Sequence, residues 1–379
     1  MNSSAAKRDA DTDLDHRFMR LALALGRRGL GRTWPNPAVG AVVVRESAGG
    51  PLIVGRGWTQ PGGRPHAETE ALRRAGAAAQ GATLYVTLEP CSHYGKTPPC
   101  ADAIVNAGIA RVVSALEDPN PQVAGQGHAR LRAAGIAVRT GICSDEARRA
   151  HDGHICRIQQ GRPHVVLKLA VSADGKVALA GRRPVAITGE EARTRVHLLR
   201  AQSDAILIGI GTALSDDPAL TCRLPGMHSE SPIRIVLDGT LRLSPHSQLV
   251  STARETPVWV FAARDAPAPA EDVLRANGVE VVRTAAARDR PDVGLVLKEL
   301  AARGITRLMV EGGPITAAAF VEADLVDEAR LFRSDMRIGA DGVDALEGFP
   351  LDALTHSARL KPAGSETLGA DRIDYFERG

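Results

Sequence analysis

One imidazole, two thiols and a carboxylate stand at His66, Cys91, Cys100 and Glu68, a set able to hold a metal ion and move a proton beside it. A zinc ion with one nitrogen and two sulfur ligands keeps a fourth position for water. It lowers that water's pKa from roughly 15.7 to about 7. The carboxylate two residues beyond the histidine can carry a proton from the water to a ring nitrogen and on to a leaving amine. These are the parts of a zinc-dependent deaminase of a nitrogen heterocycle. Taken singly, each is weak: His-x-Glu at a helix start is commonly a cap, and a free cysteine is commonly a small core residue.

Their common setting makes the case. Arg64-Pro65-His66-Ala67-Glu68-Thr69-Glu70 reads as a loop entering a helix with acids in its first turn. Thr83–Leu88 reads as a buried strand, stopped at Glu89-Pro90-Cys91. Pro98-Pro99 suit the first turn of a second helix at Cys100. Helix N-termini near the ion favour thiolate over thiol.

The elements around these residues alternate. A helix is expected over about Asp13–Gly29, strands near Val39–Val44 and Ile53–Trp58, then the His66 helix. The strand to Leu88, the Cys100 helix, a strand at Arg111–Leu116, a helix near Gln126–Ala134 and a strand at Ile136–Arg139 follow. That order predicts a three-layer α/β sandwich. A connector helix over Ser144–Gln160 leads to a boundary at Gly161-Arg162-Pro163. The expected division is a disordered tail at 1–12, a deaminase domain at 13–160 and a second α/β domain at 161–379. Two domains suit 379 residues, since single cores rarely exceed about 250–300 residues.

Aromatic residues are only 3% of the chain, so Ala, Val, Leu and Ile must fill the cores. The net charge of +3 is too mild and interspersed to point to nucleic acid. The polar start lacks an apolar export core, and no apolar run reaches the roughly 18 residues of a membrane span. Five cysteines make an odd disulfide framework. Cys143, Cys156 and Cys222 are read as reduced residues in a cytoplasmic protein.

In the second half, strands are expected at His164–Ala170, Ala205–Ile210, Ile233–Leu237, Val258–Ala262, Val279–Arg283 and Arg307–Glu311. Thr188-Gly189-Glu190-Glu191 fits a capping box. Glu311-Gly312-Gly313-Pro314 is either a pyrophosphate-receiving helix start or a tight turn without a ligand. Composition and spacing alone support a second α/β domain able to bind a nucleotide.

The chain resembles, almost end to end, the bifunctional riboflavin-biosynthesis deaminase–reductase family. The resemblance runs through Pro35-Asn36-Pro37-Ala38-Val39-Gly40, His66-Ala67-Glu68, Thr87-Leu88-Glu89-Pro90-Cys91-Ser92-His93 and Gly95-Lys96-Thr97-Pro98-Pro99-Cys100. It continues through Asp118-Pro119-Asn120-Pro121, Leu167-Lys168-Leu169, Leu199-Arg200-Ala201-Gln202, Asp216-Asp217-Pro218-Ala219-Leu220-Thr221 and Val310-Glu311-Gly312-Gly313-Pro314. It implies a cytidine-deaminase-like sandwich followed by a dihydrofolate-reductase-like α/β domain. It implies zinc at His66, Cys91 and Cys100, with Glu68 moving protons, and NADPH as hydride donor. The implied substrate is a phosphorylated diamino-pyrimidinone, first deaminated and then reduced from ribosyl to ribityl. Asn36, His93 and Lys96 map to the deaminase substrate, and Arg200, Leu220, Arg223 and Glu311 to the reductase substrate. Ala170, Ala186, Thr212, Asp216 and Gly313 map to NADPH. Without the resemblance, Arg200 and Arg223 read as surface charges.

Eight residues (92–99) separate the two cysteines, whereas nucleic-acid deaminases of this chemistry carry Pro-Cys-x-x-Cys. A nucleic-acid deaminase is therefore the distant alternative. A nearer one is a deaminase with a degenerate reductase half, because Pro184 and Ala186 stand where the family has serine and tryptophan, and Gly239 stands where it has serine. Arg333–Gly339 also departs from the family's more apolar segment. The partner expected is a small phosphorylated pyrimidine, without nucleic acid or membrane; a homo-oligomer is compatible with this.

Overall fold

The computed structural model describes residues 3–95, 97–121, 123–287 and 289–379, with side chains from Thr12 onward. The chain forms two compact units, Met1–Gly161 and Arg162–Gly379.

The first unit has a five-stranded sheet. Its strands are β1 (Gly40–Arg45), β2 (Leu52–Trp58), β3 (Thr83–Val86), β4 (Arg111–Ser114) and β5 (Ala137–Thr140), in the order β2-β1-β3-β4-β5. β1 is antiparallel to β2 and β3, while β3, β4 and β5 run parallel. Side chains alternate across the sheet. Ala41, Val43, Leu84 and Val112 pack on one face against α2 (Ala67–Ala75) and α3 (Cys100–Asn106). Val42, Val44, Tyr85 and Val113 meet Phe18, Met19, Ala22 and Leu23 of α1 (Ser3–Gly26) on the other. This is the expected three-layer sandwich.

Small residues set how closely α2 approaches. Gly55 and Gly57 share one face of β2, and Ala67, Ala71 and Ala75 form a stripe at helical spacing. A Cβ on Gly57 would lie 2.3 Å from the Ala67 carbonyl oxygen, and one on Gly55 would lie 2.2 Å from that of Ala71. The helix therefore rests on bare backbone, and its start, which carries His66 and Glu68, has one available position.

Some boundaries differ from expectation. α1 begins at Ser3 rather than near Asp13, so the stretch expected as a disordered tail is helical from there. Ala5, Ala6 and Ala10 favour helix, and no glycine or proline interrupts before Gly26. The connector divides into Ser144–Ala150 and Asp152–Gln160. The break is at His151, whose buried Nε2 lies 3.0 Å from Thr87 Oγ1.

The second unit has a nine-stranded sheet. From Ala205–Gly209 the chain steps outward through Ile233–Leu237, Val258–Ala263 and Glu280–Thr284, all parallel. Arg307–Val310 then returns to lie between Ala205–Gly209 and His164–Val171. Glu328–Arg333 adds parallel on the far side of His164–Val171, followed by the antiparallel pair Asp371–Arg378 and Leu360–Leu368. That pair was not expected, because the edge strand Leu360–Leu368 is apolar and buried only at its ends. The helix Glu190–Ala201 has Gly189 at its N-cap, without a side-chain cap. The expected Thr188–Glu191 box is replaced by Asp371, whose Oδ2 accepts from the Gly189 N–H at 2.6 Å.

Gly57→Ala is expected to cost about 1–3 kcal/mol, because the added methyl displaces α2 from the sheet. A lower denaturant midpoint with reduced zinc content checks it; an unchanged midpoint contradicts the close-contact argument.

Candidate active sites

His66 precedes α2 in extended backbone (φ −69°, ψ 160°), and Cys100 is the first residue of α3. Cys91 lies in the irregular stretch after β3. His66 Nδ1 is 3.3 Å from Cys100 Sγ and 3.7 Å from Cys91 Sγ, and the Cys100 N–H donates to Cys91 Sγ at 3.3 Å. All three donor atoms lie within 4.8 Å of one another. Tetrahedral zinc with ordinary Zn–N and Zn–S bonds separates nitrogen from sulfur by about 3.6 Å, so the donor set fits zinc in kind and spacing.

Protonation in this group is shared. A hydrogen bond from Cys100 is the main cause that brings Cys91 down to about 4. The same contact and burial raise Cys100, and hydrogen bonding to Cys91 raises His66. Glu68 is 4% exposed. Burial pushes its carboxyl up to about 7, against the opposing pull of His66. A carboxyl titrating there can both take and give a proton at neutral pH.

Glu89, which the sequence reading left without a role, holds the loop that carries Cys91. Its two oxygens accept from the backbone N–H groups of Asp118, Gly125, Gly127 and His128 at 2.8–3.1 Å. Glu89, Glu117 and His128 also lie within 4.8 Å of one another. With the four N–H bonds, however, Glu89's lone pairs are already used. The signal in the sequence was an acid beside proline and cysteine at a strand end, where an ordinary reading is a solvated charge.

Asn36 Nδ2 donates to the Gly63 carbonyl at 3.0 Å. Gly63 has φ +83°, and a Cβ there would sit 2.2 Å from that same nitrogen. Asn36 is thus joined to the loop leading to His66, with its amide oxygen left for other contacts. His93 is exposed near Asp118, whose carboxyl is held low, against its burial, chiefly by hydrogen bonding to His154. Lys96 lies outside the described residues. Arg64 Nη1 bonds Thr97 Oγ1, tying the His66 loop to the segment before Cys100.

In the second unit, Glu311, Gly313 and Thr212 lie just beyond the carboxyl ends of the neighbouring strands Arg307–Val310 and Ala205–Gly209, a usual ligand position in such sheets. Arg200 Nε and Nη2 donate to Glu311 Oε1 and Oε2 at 2.7 and 2.9 Å, and Nη1 donates to the Thr221 carbonyl at 3.1 Å. The Arg200 fork is therefore occupied by Glu311, while Arg223 is exposed. Lys168, which the sequence reading left without a role, sits beside this pair. Its ammonium is 5.7 Å from the Phe332 ring centroid, and burial lowers its pKa. Burial would raise Glu311, but Arg200 and Lys168 outweigh it and bring the carboxyl to about 2.

Gly313 N–H donates to Thr212 Oγ1 at 2.9 Å, which brings two expected cofactor residues and two helix starts together. Asp216 is exposed at the far end of the helix Ile210–Asp216, and Ala186 lies in the exposed segment after Ala180. Ala170 is in the sheet ladder opposite Phe332. Leu220 is 2% exposed, with its side chain packed in the core. Gly239 has a direct packing cause: a Cβ there would lie 1.8 Å from the Asp289 carbonyl oxygen. A serine does not fit against this loop. Among the described residues, which include all five cysteines, none is disulfide-bonded, and no helix is long and apolar enough to cross a membrane.

The cytidine and deoxycytidylate deaminase zinc-binding region matches residues 12–116, and the RibD C-terminal domain matches residues 163–373. The chain is 39% identical to riboflavin biosynthesis protein RibD of Aquifex aeolicus, over 97% of this chain and 99% of that one. It is 41% identical to RibD of Escherichia coli, over 94% and 97%. Acinetobacter baumannii RibD superimposes with a TM-score of 0.84 at 34% identity, over 97% of this chain and 100% of that one. A Thermotoga maritima diaminohydroxyphosphoribosylaminopyrimidine deaminase / 5-amino-6-(5-phosphoribosylamino)uracil reductase gives 0.83 at 34%, with the same coverage.

Glu311→Gln is expected to destabilise by about 3–5 kcal/mol at neutral pH, by stranding Arg200. Because the Glu311 carboxyl is held below its ordinary 4.5, at about 2, the parent's advantage is complete above pH 4.5. It is lost as pH falls from there towards 2. Urea midpoints measured across that range check it; a gap independent of pH contradicts it.

Proposed function

Because this chain belongs to the RibD family of bifunctional riboflavin-biosynthesis deaminase–reductases, we propose specific roles for its residues in the two reactions. The enzyme is a zinc-dependent deaminase and an NADPH-dependent reductase. Its substrate is read as the phosphoribosylamino-diaminopyrimidinone named for the Thermotoga protein. The convergence of His66 Nδ1 with two cysteine sulfurs beside buried Glu68 supports the first step most directly.

His66, Cys91 and Cys100 would hold the zinc, which lowers the pKa of a coordinated water to near neutrality. Glu68 takes one proton from the attacking water and passes it to the ring nitrogen beside the carbon under attack. It then carries the second, from the hydroxyl now on that carbon, to the departing amine, released as ammonia as the C–N bond breaks and the carbonyl forms. Asn36 orients the ring through its free amide oxygen. His93 and Lys96, on the loop between the cysteines, meet the polar and phosphorylated end of the substrate.

In the second unit, NADPH supplies the hydride. Its phosphates are read against the paired helix starts at Thr212 and Gly313, with Asp216, Ala170 and Ala186 along the cofactor. Backbone alone makes the contact at Ala186. The Arg200–Glu311 pair and Leu220 line the sugar, and Arg223 meets the phosphate. Lys168, desolvated beside Glu311, holds a proton for the sugar oxygen. The match over 163–373 does not favour a degenerate second half, and the eight-residue spacing does not favour a nucleic-acid substrate. A cytoplasmic location suits the cofactor and the cysteines, none of which forms a disulfide among the described residues.

Glu68→Gln is expected to lower deamination by about 10²–10⁴-fold while retaining zinc by elemental analysis. Full activity in that variant would refute the proton-transfer role. Arg223→Ala should raise the reductase KM for the ribosyl pyrimidine by about tenfold or more, with ammonia release unchanged. An unaltered KM removes Arg223 from the phosphate.

A further inference from the structure

Arg234, on the strand Ile233–Leu237, is fully buried, yet no carboxylate among the described residues pairs with it. Its Nη1 donates to the Ala219 carbonyl at 3.2 Å and to Thr252 Oγ1 at 2.8 Å. Its Nη2 donates to the carbonyls of Thr252, at 3.0 Å, and Thr256, and Nε has no partner. Burying a cation against neutral oxygens, with Glu255 acting on it only from beyond ion-pair distance, is costly, so the contacts themselves need a reason.

They converge on one loop. Thr252 Oγ1 donates onward to the Gln248 carbonyl at 2.6 Å. Gln248 in turn donates from its backbone N–H to Asp217 Oδ1 at 2.8 Å, and from Nε2 to the Asp217 carbonyl at 2.6 Å. Arg234 thus holds the loop twice, directly at Ala219 and through Thr252 and Gln248 at Asp217. Two residues of this loop are in the left-handed region, Asp217 at φ +39°, held by Gln248, and Leu220 at φ +54°, next to Ala219. Non-glycine residues keep that conformation only where the surroundings impose it. Immediately beyond, Arg200 holds the Thr221 carbonyl.

We propose that Arg234 is a positioning residue for reduction. Its buried hydrogen-bond network holds the Asp217–Leu220 turn, with its two left-handed residues, in the shape that carries Arg223 to the phosphorylated ribosyl substrate. This rests on the reading of that loop as the substrate loop. The same turn follows Asp216, so it also sets the spacing between the cofactor and substrate positions.

The test uses the full chain, with ammonia release in the first unit as an internal control for intact protein. Arg234→Met, which fills the space without donors, should raise the reductase KM for the deaminated ribosyl pyrimidine by about tenfold. Arg234→Lys should recover part of that loss. Gln248→Ala, an exposed change that leaves the core intact, should raise the same KM by about threefold. A merely structural arginine would lower kcat in proportion to the folded fraction and leave KM alone. Should Arg234→Met fail to fold, Gln248→Ala decides. Unchanged KM in every variant that folds, with Arg223→Ala raising it, overturns the proposal. If Arg223→Ala also leaves KM unchanged, the substrate-loop reading fails and takes the proposal with it.

Discussion

The contact between α2 and the two glycines of β2 is the constraint on which the deaminase site depends. A helix start can supply a ligand and a proton carrier only if its position against the sheet is set to within a fraction of an ångström. At Gly55 and Gly57 no side-chain atom stands between the strand and the helix backbone. His66 and Glu68 are then fixed relative to the sheet. Cys91 reaches the same point by another route, two residues beyond Glu89, whose carboxylate is anchored by four backbone N–H groups of the Asp118–His128 segment. The donor spacing fits zinc because a packed interface and a buried anion act on the two sides of it.

Burial does opposite things to two carboxylates in this chain. Glu68 loses water, and the pull of His66 and its hydrogen bonds offset that only in part, so its carboxyl rises to about 7, where it can exchange protons. Glu311 loses water too, but Arg200 and Lys168 hold it as an anion down to about 2. One acid becomes a proton carrier and the other a fixed charge that orders its neighbours. Among the protein's own groups, the difference lies in the arginine and lysine that flank Glu311 and have no counterpart beside Glu68.

The departures from the family pattern have different physical standing. Gly239 follows from the Asp289 carbonyl occupying the space of a Cβ, so the change belongs to how this chain packs its loop. Pro184 and Ala186 lie in an exposed segment where main-chain atoms stay accessible. The structure gives no packing cause for either.

Much was legible in the residues. Helix and strand alternation set the layers of the first unit, since side-chain periodicity follows directly from backbone geometry. Imidazole, thiols and carboxylate at their spacing named the metal and the chemistry, because few other groups bind zinc or move protons. The hairpin at the C-terminal end escaped notice because an edge strand facing solvent carries no apolar alternation. The Glu89 clasp, the Arg200–Glu311 pair, the seating of α2 and the buried network of Arg234 were hidden for a common reason. Each joins residues distant along the chain, and an isolated Glu, Arg or Gly reads the same in sequence whether it faces water or a buried partner. Residue type and local spacing determined which reactions this protein could perform; only the tertiary structure decided which charges lose water, and beside whom, because desolvation depends on neighbours that a linear order does not reveal.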